Sequence, residues 1–324
     1  MEPIGSEAIE ERIAGVRAVR LENERIRAVI LVGKGADVWE LVYKPLNVDS
    51  LLKTESGLEI LSGRDLHEEP LVHYADPYPG GWQDILPNRA RFGDSEIGRS
   101  QEGEAACLPW DYEIRREEGE VSLICRVSLA GAPLSAVKTF RLAEGESVLS
   151  LEEEVANTGE EPVRFIWTHH PAFGSPLVDE RARVNLPEGA RVFADAPGAL
   201  DNAAGDSPRE ALLPDGRRKD LHRIDSRRPD GESGYFPLAG FEQGEAGIDN
   251  PHLRLRLRLE WDRSTFPCLR YWSRNDEEIY TVALEPSTSR YSDIGDCIRH
   301  GECIALDPGE RHSAWLRVRF ESYS

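Results

Sequence analysis

Residues 253–261 read LRLRLRLEW, nine positions in strict apolar–polar alternation. Successive side chains of a strand point to opposite faces, so this segment presents one leucine face and one charged face. As a helix it would scatter its leucines around the axis. The same period of two recurs in VRAVRL (16–21), IRAVILV (26–32), VWELVY (38–43), VSLICRVSL (121–129), AVKTFRL (136–142), the segments 147–156 and 163–168, and HSAWLRVRF (312–320). Turn-forming stretches such as ENE, GKGAD, AGAPL and NTGEEP separate them. Strands of this length with such turns predict an all-β chain folded as a large antiparallel β-sandwich. Helical periodicity is confined to one short candidate at 49–61. Segments 66–110 and 171–250 read as long loops, where a sandwich builds its binding sites. Neither an internal repeat nor a composition break divides the chain, so 1–324 is expected to form a single domain.

Composition narrows the function classes. The chain carries 59 acidic against 39 basic residues, a net charge of −20. Such a surface repels nucleic acid and anionic lipid, so neither is expected as a partner. The start, MEPIGSEAIEERI, is acidic and lacks the apolar core of a secretory signal. No stretch approaches the roughly 18 apolar residues of a membrane helix, and a cytoplasmic location is expected. The five cysteines, Cys107, Cys125, Cys268, Cys297 and Cys303, are scattered without a CxxC. They are expected to be reduced, and neither a disulfide framework nor a zinc knuckle is expected. GKGAD at 33–37 lacks the GK[ST] ending of a phosphate loop and reads as a turn.

Three segments carry chemistry. FIWTHHPAFG (165–174) runs a strand into adjacent histidines before Pro171. Neighbours on a strand face opposite ways, so His169 and His170 cannot share one site if the strand continues through them. IYTVALEPST (279–288) places Glu285 on an apolar strand, where a carboxylate is costly to bury unless paired or functional. GGWQDILPNRARFG (80–93) gathers Trp82, Gln83, Asp84, Asn88 and Arg89 in one Gly/Pro-bounded loop. An aromatic face beside amide and guanidinium donors suits a pyranose, whose C–H face stacks and whose hydroxyls need fixed partners.

Taken together, these segments resemble the galactose mutarotase-like superfamily, specifically the bacterial aldose 1-epimerases and their relatives. The resemblance runs from VGKGADVWEL through PNRARFG, EGEAACLPWDYEI, VANTGEEPVRF, IWTHHPAFG and VALEPSTS to GECIALDPGERHSAWLRVRF. It implies a galactose mutarotase-like supersandwich with a carbohydrate cleft on one face. The implied activity is interconversion of the α and β anomers of a free sugar by acid–base ring opening and reclosure, without cofactor or metal. It implies Glu285 as general base, His170 as general acid, and Arg89 with Asn88 as a substrate-binding pair. His169 takes a position usually held by Asn and is taken as a further substrate contact. Gln101 or Glu102 stands where the family has a second histidine, and Gln101 is taken as a substrate contact, as is Trp82. Acid and base are expected to stand apart, with room for a pyranose ring between them. The partner is then a small carbohydrate, and the protein a monomer or homodimer. Two other readings share the fold: a sugar-phosphate mutarotase, which needs basic residues converging on the phosphate, and a non-catalytic sugar-binding or sugar-sensing protein. A polysaccharide lyase would carry a helical half that this chain lacks.

Overall fold

A computed structural model describes residues 5–61, 78–97, 103–193, 209–213 and 215–323. Among them strands dominate, and every strand pair is antiparallel. A 13-stranded sheet and an 8-stranded sheet form the body, with a separate two-stranded pair. Their facing sides share a hydrophobic core that runs from Ala8 to Phe320 and contains Trp82, Trp110, Phe140, Phe165, Trp167 and Trp261. This is the large antiparallel β-sandwich expected from the period of two.

The alternating leucines form the strand Leu255–Trp261, with Leu255, Leu257, Leu259 and Trp261 buried and the arginines between them partly exposed. Leu253 and Arg254 do not join it. The Asn250 side chain accepts the backbone N–H groups of His252 and Leu253, closing a turn in which Arg254 is left-handed. The region expected as a loop at 80–93 is mostly an 11-residue strand, Trp82–Phe92. The histidine strand also continues past Pro171, to Phe173. The helix candidate at 49–61 yields one 3-10 turn, Gly57–Leu61. The α-helix Ile294–His300 was not anticipated; Asp293 caps its first turn and Gly301 ends it.

Four strands of the larger sheet position the site. In order across the sheet they are Trp82–Phe92, Val163–Phe173, Tyr280–Ser287 and Cys268–Asn275. Their register sets the side chains in one row. His170 pairs with Gln83 on one side. On the other, the pairing of Thr168 with Ser287 and of Ala172 with Ala283 brings His170 opposite Glu285. Glu285 in turn pairs with Arg270. Gln83, His170, Glu285 and Arg270 therefore stand side by side on one face of the sheet.

Candidate active site

That row lines a cavity of about 540 Å³ together with Tyr78, Asn88, Arg89, Ser233, Tyr235, Trp272 and Arg274. Asn88 and Arg89 are chain neighbours, yet both reach the cavity. The register between their strand and the histidine strand shifts between Ile166 and Thr168, and such an irregularity re-aims side chains.

His170 Nε2 lies 3.3 Å from Glu285 Oε1. The ring-wide gap expected between acid and base is absent. The chemistry explains why it is not needed. The anomeric oxygen and the ring oxygen of a pyranose are both bonded to C1, closer together than the two protein atoms, so a pair in contact can address both. Tyr78 Oη stands 3.1 Å from His170 Nδ1, and a hydroxyl can donate to or accept from either imidazole tautomer. Tyr78 and Trp272 flank the imidazole at ring-centroid distances of 5.3 and 5.8 Å. These aromatic walls shield the pair on two sides. Burial pushes the Glu285 carboxyl up to about 8, with the Arg270 guanidinium pulling the other way. Burial pushes the His170 imidazole down to about 4. The pair thus holds one proton across the neutral range, resting on the carboxyl.

The other expected contacts divide. Arg89 and Asn88 line the cavity. Trp82 and His169 do not: both are buried on the interior side of the sheet, as strand parity requires once the strand runs through His169 and His170. Trp82 Nε1 donates to His169 Nδ1 at 3.3 Å, leaving the imidazole proton on Nε2, 2.8 Å from Glu153 Oε2 of the facing sheet. Lys138 lies 3.1 Å from Asp84 and 3.8 Å from Glu153, and Asp84 accepts the Trp167 indole N–H at 2.6 Å. This charged cluster sits directly beneath the row. Gln101 lies outside the described residues.

Trp272, Tyr78 and Arg270 escaped the sequence reading. The signal was present for two of them: CLRYWSRN sets Arg270, Trp272 and Arg274 at alternate positions, hence on one face. Among the described residues no cluster of His, Cys, Asp and Glu could hold a metal ion, and no helix is long and apolar enough to cross a membrane. A larger depression of about 650 Å³, on the outer face of the 8-stranded sheet, is lined by Thr139, Arg141, Glu152 and Trp315. There Glu152 is solvated and pairs with Arg141, so it carries no comparable acid–base chemistry.

Known proteins place this architecture. No curated protein matches the chain. Among solved structures, a galactose mutarotase-like protein from Clostridium acetobutylicum is similar at a TM-score of 0.74 and 15% identity, over 98% of this chain and 99% of that one. The Slr1438 protein of Synechocystis gives 0.67 and 15%, over 100% and 98%. A galactose mutarotase related enzyme from Lactobacillus acidophilus gives 0.62 and 15%, over 94% and 97%. At these identities the likeness is one of fold, and the fold is galactose mutarotase-like. Residues 98–320 match the model of a family described as a domain of unknown function, DUF4432, and the chain belongs to that family.

Proposed function

We propose that the chain is an aldose 1-epimerase-type isomerase that interconverts the anomers of a sugar, acting in the cytoplasm without a cofactor. The observation that carries this reading is the His170–Glu285 pair: acid and base in contact, desolvated, holding one proton, in a cavity lined by aromatic and hydrogen-bonding side chains. Binding alone requires no such pair. The galactose mutarotase-like names of proteins with this fold support the reading.

The proton inventory works as a cycle. With the proton on His170, the Glu285 carboxylate takes the O1 proton while the imidazolium protonates the ring oxygen. The C1–O5 bond breaks and the aldehyde forms. The pair is now carboxylic acid and neutral imidazole, the form that burial favours at rest. The C1–C2 bond rotates. His170 then takes the O5 hydroxyl proton as O5 attacks C1 from the other face, and Glu285 protonates the new O1. No net proton is gained or lost. Neither form places an isolated charge in the site, and burial favours the neutral one.

Polarimetry on freshly dissolved α-anomers tests this. The wild type accelerates the approach to equilibrium. Glu285→Gln keeps the shape and the sugar affinity but loses the acceleration, as does His170→Asn. Near-wild-type rates in Glu285→Gln refute the acid–base reading and leave sugar binding as the function.

A further inference from the structure

Tyr78 reaches the site from a tight turn, Tyr78-Pro79-Gly80-Gly81. Gly80 and Gly81 both take positive φ, at +95° and +88°, and a Cβ on Gly80 would collide with the Leu52 carbonyl, so only glycine fits there. The turn brings the Tyr78 hydroxyl back over its own chain, where it donates to the Gly81 carbonyl in a long bond of 3.5 Å. The same oxygen accepts the Ala172 N–H at 3.2 Å, and its two lone pairs serve both donors. Ala172 lies two residues beyond His170 on the same strand, which ties the turn to the histidine. The hydroxyl stands 3.1 Å from His170 Nδ1, and the two rings meet edge-on.

Which way the Tyr78–His170 bond runs follows from the other side of the imidazole. Nε2 faces Glu285 Oε1 at 3.3 Å, and burial rests the shared proton on the carboxyl. That carboxyl O–H needs an acceptor, so Nε2 offers a lone pair. A neutral imidazole has one N–H, which is then on Nδ1 and donates to Tyr78 Oη. Tyr78 in turn donates to Gly81. One chain of donors thus runs from Glu285 through His170 and Tyr78 to the Gly81 carbonyl. The reverse chain, with Tyr78 donating to Nδ1, would put the N–H on Nε2. There it would stop turnover, because a protonated neutral ring cannot take the O5 hydroxyl proton through Nε2 when the open-chain sugar recloses. The imidazolium form keeps the same bond to Tyr78, since Nδ1 is protonated in it too. Nδ1 therefore holds its proton throughout, and only Nε2 exchanges.

We propose that Tyr78 is a positioning residue: its hydroxyl, anchored on the Gly81 carbonyl, accepts the His170 Nδ1–H and keeps Nε2 free to exchange protons with the sugar. This rests on the epimerase reading and gives that site the group that fixes its tautomer. Which imidazole nitrogen is protonated is set by the bond the other one makes.

Tyr78→Phe tests it, keeping the ring beside His170 and Trp272 and removing only the hydroxyl. At about pH 6, between the His170 and Glu285 values of about 4 and about 8, the neutral imidazole dominates. There, 15N NMR of histidine-labelled protein, with His170 assigned by its loss in His170→Asn, shows which nitrogen carries the proton, and needs no substrate. Polarimetry gives kcat and KM. The wild type should show Nδ1–H and a bare Nε2. In Tyr78→Phe the Nδ1–H share should fall, and kcat should drop about tenfold with KM little changed, the loss of one hydrogen bond. Three results overturn the proposal and leave the epimerase reading standing: Nε2–H in the wild type, a wild-type kcat despite an altered tautomer, or an unchanged tautomer in the variant. In the last case the His170 backbone carbonyl, which also faces the ring, holds the proton instead. A wild type that turns over no sugar removes the epimerase reading. The tautomer comparison then keeps or overturns the Tyr78 bond by the same criterion.

Discussion

Replacing Glu285 by Gln should make the protein more stable, and increasingly so as the pH rises. The carboxyl is almost wholly buried, and its folded-state pKa of about 8 stands above the ordinary 4.5. A raised carboxyl pKa reverses the usual sign. Below pH 4.5 the group is protonated in both states and contributes no difference. Between 4.5 and 8 the unfolded chain ionises while the folded protein keeps its proton, so stability falls by about 1.4 kcal/mol per pH unit. By pH 7 the loss is about 3 kcal/mol, and above pH 8 it levels at about 5 kcal/mol. Gln does not titrate, fills the same volume, and can donate its amide N–H to His170 Nε2. The variant therefore escapes the loss. Unfolding entropy for 324 residues is roughly 0.7 kcal/mol per kelvin, so the gap in Tm should be about 2 °C at pH 5.5 and about 4 °C at pH 7. Thermal melts of both proteins from pH 5.5 to 8.5 measure it. A gap that stays constant with pH, or a variant less stable throughout, refutes the premise that burial holds a proton on Glu285.

The same protonation states set the activity profile. The rate should be bell-shaped, falling below about pH 4 as His170 takes a second proton and above about pH 8 as Glu285 loses its own. This reverses the limbs expected from unburied groups, and a pH-rate series on the wild type checks it. Trp272→Ala should weaken sugar binding in a titration with little loss of stability. Trp82→Ala should cost about 3–5 kcal/mol in denaturant melts because it opens the core. Lys138→Met should cost a similar amount, about 3–5 kcal/mol, since it leaves Asp84 and Glu153 buried without their cation.

Why the sequence pointed to His170 and Glu285, which the fold brings together, but misplaced Trp82 is a matter of what period two can carry. In LRLRLRLEW the core face is wholly apolar, so alternation reads directly as strand and side. In WQDILPNRARF the interior positions include Asp84, which is buried because Lys138 of the facing sheet pairs with it. A charge at a core position erases the hydrophobic pattern, and the strand reads as a polar loop. Trp82 then looks free to stack on a ligand, although parity with the true strand turns it inward. His169 suffers the same inversion, its polar partner Glu153 lying 16 residues back along the chain (169 − 153) and on the other sheet.

The buried cluster that obscures the pattern also anchors the site from below. Gln83 and His170 face the cavity while their chain neighbours Asp84 and His169 are locked to Lys138 and Glu153 below. Gln83 is thereby anchored one peptide away by the Lys138–Asp84 ion pair, and His170 by the His169–Glu153 contact. Register supplies the rest: antiparallel pairing sets Gln83, His170, Glu285 and Arg270 abreast although they span 202 residues of sequence (285 − 83). No local motif encodes that row. It follows from strand order across the sheet, and strand order is decided by which hydrophobic faces pack together, not by the spacing of the residues that line the cavity.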